Sequence, residues 1–451
     1  MPSSKTWMID PKDAEHWDAM RGQKEALPPT YEKRATGSHW PLWAIPMLLS
    51  LGGIIMIASL TSRSGQIGGL AFYWQAFRQF QFLWFGLMLM YFCCLVPLSL
   101  MRRLSRLLWI FALILTFATL FPSLGVRVGG ARRWLAIFGL QFQPLEILTL
   151  AIPLLLADRL SVSTREGFER FLRPTLSIAV LSAAPLFFQP NMGGIILVFA
   201  ICVSMHVVNR GWKYPLIGGL FLLAVFAFMI YSEEYRMRRL FAFLDPWDDP
   251  MNRGFQVIQG LVAFSNGGVF GVGVGRGLQT LNFLPAAHTD YIFPAIGEEF
   301  GLVGTLFIVL LYALWTLKAY TLYRSTDDQY LSVLIWGLSA SVLFPMIINL
   351  GGVMRLMPLT GIPLPFVSLG GTSIVIMWVR VGILMRIARE LSMPSLAHSG
   401  QSEETPVQIV SPPRFRPRQP SLWEQEDFPV PAQVSRHVSG RKQFIERSWE
   451  I

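Results

Sequence analysis

The sequence predicts an all-α polytopic membrane protein with about ten transmembrane helices and a large extracytoplasmic loop between helices 7 and 8. Of its 451 residues, 53% are hydrophobic and only 15% are charged, compared with roughly 25% charged residues in soluble domains. Apolar runs of about twenty residues recur, and each is long enough to cross a hydrocarbon core as a helix. These runs are continuous, whereas the strands of a membrane barrel would alternate in polarity.

The apolar runs divide the chain into a membrane domain, residues 40–390, between two polar tails. The tails, 1–39 and 391–451, are rich in Pro, Ser, Arg and Glu and are predicted to be disordered. The predicted spans are 40–60, 81–100, 107–124, 144–157, 174–189, 192–208, 215–231, 295–317, 331–350 and 367–388.

Basic residues orient these spans. Every lysine falls in segments of one parity, together with the arginines between spans two and three and between spans four and five. The positive-inside rule therefore predicts that both termini are cytoplasmic and that the 232–294 loop faces outward. The net charge of +10 is divided among short loops and tails, which argues against a nucleic-acid-binding face. Cys93, Cys94 and Cys202 lie inside apolar runs, so we expect no disulfide framework.

The segments predicted to lie outside contain arginines but no lysine. Basic residues normally favour the cytoplasmic side, so these arginines are predicted to have a function. A guanidinium group binds phosphate through two parallel hydrogen bonds. Anchoring of the loops to anionic headgroups is the alternative. The outward arginines are Arg127, Arg132, Arg133, Arg236, Arg238, Arg239, Arg253, Arg276 and Arg355.

Asp290 lies at the outer end of the eighth span and is the candidate general base. An apolar boundary makes a carboxylate a better proton acceptor. Alternatively, Asp290 caps the helix, with Glu298 and Glu299 near its positive end. His288, two residues before, either shares the proton or orients a substrate, or is an ordinary interfacial histidine.

Two more polar clusters flank outer span ends. Gly129-Gly-Ala-Arg-Arg-Trp134 precedes Glu146, whose neighbouring arginines are candidate partners in an ion pair or in substrate contact. The segment 361–373 contains Ser368, a predicted helix cap. The glycine-rich run 267–277 lacks the register of a nucleotide-binding loop and is predicted to form a close-approach turn.

Many separated motifs, in order, resemble the SEDS family (shape, elongation, division and sporulation) of peptidoglycan glycosyltransferases, over residues 40–390. They are Phe72-Tyr73, Arg78-Gln79, Gly130–Trp134, Gln143-Pro144, Glu146, Gln189-Pro190, Gly193, Tyr235-Arg236, Arg238-Arg239, Pro246–Pro250, Gly254–Gln256, Gln259, Leu284–Asp290, Gly297–Glu299, Gly361–Phe366 and Ser368–Ser373. Within this family, the motif sequences around Trp247 and His288 resemble the division type (FtsW-like) more than the elongation type (RodA-like). The chain departs from the family pattern at Leu145, Asn191, Ala286 and Arg355.

The resemblance implies a bacterial cytoplasmic-membrane enzyme that joins lipid II units into glycan strands on the outer face. Asp290 would be the general base of an inverting reaction. The implied substrate-binding residues are Arg132, Arg133, Trp134, Glu146, Arg238, Arg239, Gln256, Gln259, His288, Ser368 and Ser373. No cofactor or protein metal cage is expected, and a divalent cation, Mg²⁺ or Mn²⁺, is left open. The implied partners are a single-span class B penicillin-binding transpeptidase and other division proteins.

Two other functions are alternatives. A lipid II flippase would need polar groups along a path through the membrane, and spans two, three, seven and nine have no ionisable residue in their middles. A polymerase or ligase of another lipid-linked envelope glycan would also use an outer loop. For partner contacts, the small residues Gly337, Ser339 and Ala340 are candidates, unless they pack within the chain itself.

Overall fold

The computed structural model describes residues 39–62, 73–128, 131–137, 140–162, 169, 172–216, 219, 241, 243–252, 254–279, 283–284 and 287–392. They belong to one compact unit that ends at Pro394. Almost all of both predicted tails, most of the predicted seventh span, Arg238 and Arg239 lie outside the described residues.

The described residues are predominantly helical. In chain order the helices are α1 (Pro41–Ser62), α2 (Trp74–Leu95), α3 (Leu98–Ala118), α4 (Pro144–Val162), α5 (Ser177–Phe188), α6 (Met192–Arg210), α7 (Phe255–Gly267), α8 (Ile292–Arg324), α9 (Gln329–Val353) and α10 (Gly371–Ser392). A π-helical turn, Leu172–Leu176, leads into α5, and a 3₁₀ turn covers Pro246–Asp248.

Five of the described helices, α1, α6, α8, α9 and α10, are long and apolar enough to cross a membrane. The segment Arg173–Phe188 is a shorter apolar helix. The predicted class, an all-α multi-pass membrane protein, is confirmed. The total of ten spans and the extent of the outer loop stay predictions.

The boundary between α2 and α3 corrects the predicted second span, 81–100. Val96 is extended (φ −69°, ψ 129°) and Pro97 precedes α3 with ψ 140°. The proline ring disfavours helical geometry at the residue before it, so the apolar run is divided between two helices. The predicted third span, 107–124, is also wrong at its end, because α3 stops at Ala118.

A three-stranded antiparallel sheet between α3 and α4 was not predicted. Its strands are β1 (Gly125–Val128), β2 (Ala131–Ile137) and β3 (Leu140–Phe142), in the order β1-β2-β3. Val128 pairs with Ala131 and Ile137 pairs with Leu140, which leaves two-residue connections of the kind that favours hairpins. The sheet places Arg132, Arg133 and Trp134 next to the start of α4.

Helix α4 lies at the centre of the bundle, where it packs against α3, α6 and α9. The small residue Gly337 of α9 faces inward: a Cβ atom there would lie 2.6 Å from the sulfur of Met205 and 3.0 Å from Cβ of Pro153. Ser339 and Ala340 are buried as well. The prediction of a partner-binding surface at these residues is therefore wrong, since they pack within the chain's own core.

Helix α8 is broken inside its apolar stretch. Gly301 has φ 69° and ψ −163°, which interrupts the helical hydrogen bonds. The glycine-rich run restores them: N–H groups of Val272 and Gly273 donate to the carbonyls of Glu298 and Glu299 at 3.0 Å. In return, the N–H of Leu302 donates to the carbonyl of Gly268 at 2.9 Å.

Only glycine permits this approach. A Cβ atom at Gly271 would lie 2.2 Å from the carbonyl oxygen of Glu299. Irregular backbone within a membrane protein requires partners from the protein itself, and this run supplies them. The predicted close-approach turn is confirmed.

Candidate active site

Asp290 lies in the turn before α8 and is partly exposed. The hydroxyl of Thr289 donates a hydrogen bond to its Oδ1 at 3.0 Å. The N-cap position of α8 is Tyr291, and no side chain caps the helix there. The predicted N-cap position is therefore one residue too early in the chain.

The main chain around Asp290 is tied to two other elements. Nδ2 of Asn349, near the end of α9, donates to the carbonyls of Asp290 at 2.9 Å and Ile362 at 2.8 Å. The hydroxyl of Ser368 donates to the carbonyl of Thr289 at 2.5 Å and accepts from the N–H of Leu364 at 2.9 Å. Side-chain donors on α9 and on the loop before α10 thus fix this turn.

Ser368 was predicted to cap the tenth span, and this is wrong. Helix α10 begins at Gly371, two positions too late for Ser368 to precede it directly. Its hydroxyl instead joins the loop before α10 to the turn that carries Asp290. The N–H of Leu369 reinforces this junction by donating to the carbonyl of His288 at 2.8 Å.

One side of the Asp290 carboxylate borders a glycine. Gly361 has φ 73°, and a Cβ atom at this position would lie 3.7 Å from Oδ2 of Asp290. The left-handed backbone suits glycine, and its missing side chain leaves a reacting group room to approach the carboxylate.

His288 lies in the same turn, partly buried. Burial lowers the pKa of this imidazole below its ordinary value, although the charge of Asp290 acts in the opposite direction. An imidazole with a lowered pKa is mainly neutral at pH 7. His288 can therefore exchange a hydrogen bond or a proton here, but it does not provide a lasting positive charge.

Glu146, in the first turn of α4, forms an ion pair with a residue that was not predicted. Nη2 of Arg380, on α10, lies 3.8 Å from its Oε2 and donates to the hydroxyl of Thr149 at 2.6 Å. The side chain of Arg380 is only 1% exposed, and Ser373 lines the same cavity as Glu146. The predicted pairing of Glu146 with Arg132 or Arg133 is replaced by this buried pair.

A small cavity of about 40 Å³ connects these groups. Its lining includes Arg133, Glu146, Asn191, Gly361 and Arg380. Because Gly361 also borders Asp290, the Glu146 cluster and the Asp290 turn lie at the same end of the bundle. The predicted residues Glu146, Ser373 and Arg133 thus line one cavity at the end of the bundle that carries Asp290.

The arginines of β2 have different surroundings. Nη2 of Arg133 donates to the carbonyl of Pro190 at 2.6 Å. Arg132 lies directly opposite Arg127 in the β1–β2 pairing, and like charges opposite one another in a sheet repel. Trp134 pairs with Val126 in the same ladder and is partly buried.

Gln256 and Gln259 lie on α7, partly buried. This helix packs on α8, and a Cβ atom at Gly260 would lie 2.8 Å from the ring of Tyr291. The two glutamines are therefore on an element that contacts the residue after Asp290. No described contact joins either glutamine to the carboxylate.

Arg355 departs from the family pattern, and the structure gives it a role. It has φ 58°, a left-handed conformation that favours glycine. Its Nη2 donates to the carbonyls of Phe243 and Leu244, both at 3.0 Å. Arg355 therefore holds the chain before the 3₁₀ turn against the end of α9.

Asn349 and Arg380 are the two residues of this region that sequence reasoning missed. Each is a polar side chain in an otherwise apolar span, and such residues usually have partners or functions. That signal was available, but it does not name a partner. Asn349 bonds to residues 59 and 13 positions away, and Arg380 bonds across more than 200 positions.

Among the described residues, no three His, Cys, Asp or Glu side chains group as a metal cage. The divalent cation stays a prediction.

Residues 39–393 match the FtsW/RodA/SpoVE family, described as cell cycle proteins. The chain belongs to this family, and the resemblance drawn from its motifs is confirmed. It is 32% identical to the probable peptidoglycan glycosyltransferase FtsW of Hydrogenovibrio crunogenus, over 80% of this chain and 94% of that protein. It is likewise 32% identical to stage V sporulation protein E of Bacillus subtilis, over 76% and 95%.

Solved structures share the fold. A structure described as "Structural coordination of polymerization and crosslinking by a peptidoglycan synthase complex" matches with a TM-score of 0.67 and 25% identity, over 80% of this chain and 100% of that chain. The rod shape determining protein RodA of Thermus thermophilus matches with a TM-score of 0.59 and 23% identity, over 80% and 99%.

Proposed function

We propose that this chain is a peptidoglycan glycosyltransferase that polymerises lipid II into glycan strands at the outer face of the bacterial cytoplasmic membrane, with Asp290 as its general base. The observation that best supports this proposal is the turn that contains Asp290. Asn349 and Ser368 fix the main chain of this turn, and the carboxylate of Asp290 borders Gly361. The names of the FtsW relatives support the activity and a role in cell division.

The proposed reaction is an inverting transfer. Asp290 takes the proton from the 4-hydroxyl of the acceptor sugar as that oxygen attacks the anomeric carbon of the donor. The bond from this carbon to the diphosphate breaks, and the lipid diphosphate leaves with its electron pair. A fixed turn helps, because a general base must stay within hydrogen-bond reach of the proton.

Charge that grows on the diphosphate needs cationic partners. Arg132 is a candidate for this task, since it lies opposite Arg127 in the sheet and the two guanidinium groups can approach one anion together. Arg133 borders the adjoining cavity and completes the candidate subsite. Arg238 and Arg239, which lie outside the described residues, are further candidates, as are Trp134, Gln256, Gln259 and His288 for the sugars.

The Glu146 cluster has a supporting role in this proposal. Arg380 pairs with Glu146, and Ser373 and Arg133 line the same cavity, so we assign to Arg380 and Ser373 the positioning of the diphosphate subsite. Ser368 acts through the main chain of Thr289 and is also a positioning residue.

The proposed membrane topology follows from the distribution of basic residues, and the proposed partner follows from the structural matches. Both termini are cytoplasmic by the positive-inside rule, which places Asp290 outside. A peptidoglycan synthase complex among the structural matches supports a penicillin-binding partner, for which we propose a single-span class B transpeptidase.

Reconstitution tests the function. Purified full-length protein in detergent, with lipid II and a division-type transpeptidase, should yield glycan strands separable on a gel. Detergent has no two sides, so transport is not scored. No polymer in detergent, together with lipid II movement in sealed vesicles, would support a flippase instead; polymer from a different lipid-linked donor alone would support another envelope glycan.

A further inference from the structure

A second cavity, of about 640 Å³, lies between α3, α4 and the π-helical turn that leads into α5. Three arginines line it, one from each element: Arg106, Arg159 and Arg173. Its described lining contains no carboxylate. The proposed reaction uses none of these residues.

The cavity lies at the end of the bundle opposite Asp290. Arg102, near the start of α3, pairs with Asp158, near the end of α4, at 2.6 Å, so these helices are antiparallel. Glu146, at the other end of α4, belongs to the Asp290 end. By the positive-inside rule the Arg106 end faces the cytoplasm.

The cavity has a charged mouth and an apolar interior. On α3, Trp109 and Ile110 follow Arg106 by one turn towards the sheet, and on α4 Leu155 precedes Arg159 by one turn in the same direction. On α5, Ile178 and Leu181 continue this apolar wall. The arginines therefore lie together at the membrane edge, with apolar residues beyond them.

Among the described residues, Glu169 is the one carboxylate that pairs with an arginine of the mouth. Within the described part of the chain, neither Arg106 nor Arg159 has a hydrogen-bond or ion-pair partner, and both are exposed. Arg173 is 4.0 Å from Glu169, and both of these side chains are mainly exposed. By contrast, Arg102, one turn before Arg106, forms an ion pair with Asp158, and its guanidinium group lies 4.5 Å from the centre of the Tyr330 ring.

We propose that this cavity binds an anionic phospholipid of the cytoplasmic leaflet, with its phosphate at Arg106, Arg159 and Arg173 and an acyl chain against the apolar wall. Guanidinium groups bind phosphate oxygens in pairs, and basic pockets between transmembrane helices at the cytoplasmic side bind anionic headgroups. A free phosphate ion would use the arginines but leave the apolar wall uncovered.

Native mass spectrometry of the full-length protein in detergent tests this site. Phosphatidylglycerol and phosphatidylcholine with identical acyl chains are titrated separately, and inorganic phosphate is the third probe. We expect preferential retention of phosphatidylglycerol, weakened about fivefold for each of Arg106→Gln and Arg159→Gln. Arg103→Gln is the matched control, because Arg103 is an exposed arginine of α3 outside the cavity lining.

A blocking variant tests the apolar wall separately. Ser177→Trp should fill the groove and weaken phosphatidylglycerol binding while leaving any binding of inorganic phosphate unchanged. If the glutamine variants do not purify as folded protein, Arg106→Lys and Arg159→Lys replace them. Lysine keeps the positive charge but lacks the planar guanidinium group, so we expect an intermediate loss of phosphatidylglycerol binding.

Three results would overturn the proposal. The first is equal retention of the two phospholipids by the wild-type protein. The second is an equal effect of Arg103→Gln and Arg106→Gln, which would reduce the effect to general surface charge. The third is a Ser177→Trp variant with unchanged lipid retention, which would leave a phosphate site without a lipid groove.

Discussion

Three carboxylates lie between positions 290 and 299, and the protein uses them in opposite ways. Glu298 and Glu299 are 0% and 1% exposed. Oε1 of Glu298 accepts from the N–H groups of Leu278 and Gln279, both at 3.0 Å, and Glu299 accepts from the hydroxyl of Ser59. Asp290 is partly exposed and borders Gly361.

The difference lies in which part of the residue is fixed. At Glu298 the side chain itself is the tie that holds the end of the glycine-rich run. At Asp290 the ties from Asn349 and Ser368 reach main-chain carbonyls, its own and that of Thr289. A carboxylate placed in this way can meet a substrate proton without releasing the structure that positions it.

The largest expected effect is the loss of the carboxylate of Asp290. Asp290→Asn should lower the rate of glycan polymerisation by about 10²–10⁴, the usual contribution of a general base. The apparent melting temperature should stay close to the wild-type value, because Asn349 and Ser368 bond to the main chain and the amide oxygen of asparagine can still accept from the hydroxyl of Thr289. Glycan strands are measured from lipid II with the transpeptidase present.

Wild-type polymerisation by Asp290→Asn would contradict the catalytic assignment. A large fall in melting temperature would instead place Asp290 with the two structural glutamates and remove the contrast between them.

Glu298→Ala should act in the reverse manner. It leaves two N–H groups and the amide of Asn266 without their acceptor, and each buried donor left unsatisfied costs about 1–3 kcal/mol. We expect a marked loss of folded protein in detergent, measured by size-exclusion chromatography and thermal unfolding. Polymerisation should fall in proportion to the folded fraction.

Glu298→Gln is the matched control, because its amide oxygen still accepts these bonds. It should lose much less stability than Glu298→Ala. A Glu298→Ala variant that folds normally but does not polymerise would show that Glu298 takes part in the chemistry.

Asn349 allows the positioning of Asp290 to be tested without removing the base. Asn349→Asp preserves size but cannot donate to the carbonyls of Asp290 and Ile362. We expect polymerisation to fall by about 10–10²-fold, as for small displacements of a reacting group, and kcat to change more than KM. The measurement is initial polymerisation rate against lipid II concentration.

Ser339→Ala is the control on the same helix, since the hydroxyl of Ser339 bonds only to the carbonyl of Ile335 among the described residues. It should polymerise like the wild type. An Asn349→Asp variant with wild-type rates would mean that the turn keeps its place without this tie.

The helical class and the location of Asp290 followed from sequence because both rest on local signals. Apolar runs predict spans wherever the next run is well separated, as for α9, predicted at 331–350 and found at Gln329–Val353. Predicted boundaries failed where one run crosses a proline, at Pro97. The sheet had a signal that was overlooked, since Gly129-Gly130 separates two short runs rich in β-branched and aromatic residues.

The rest of the site depends on contacts between distant positions. The partner of Glu146 is Arg380 rather than an arginine close in sequence, and the fixing donor for Asp290 is Asn349. Composition and spacing identify a polar residue in an apolar span but do not select its partner. That selection is made by the packing of α4 against α10 and by the return of the chain after α9.

The smallest expected effect concerns Glu299, at the buried side of the comparison. The hydroxyl of Ser59, on α1, lies 2.9 and 2.8 Å from its two carboxylate oxygens. Ser59→Ala removes this donor while Glu299 keeps its other contacts, so we expect a loss of about 1.5 kcal/mol in the free energy of unfolding, the lower end for a hydrogen bond to a charged group. Polymerisation by the folded protein should be unchanged, because Asp290 keeps its ties to Asn349 and Ser368. Thermal unfolding in detergent measures the first effect and strand synthesis at a temperature well below the transition measures the second.

Ser50→Ala is the matched control: Ser50 is a buried serine of the same helix whose hydroxyl has no hydrogen-bond partner within the described residues, so its removal should not lower the melting temperature. A Ser59→Ala variant with normal stability and reduced polymerisation would connect Glu299 to the reaction and end its classification as a structural carboxylate.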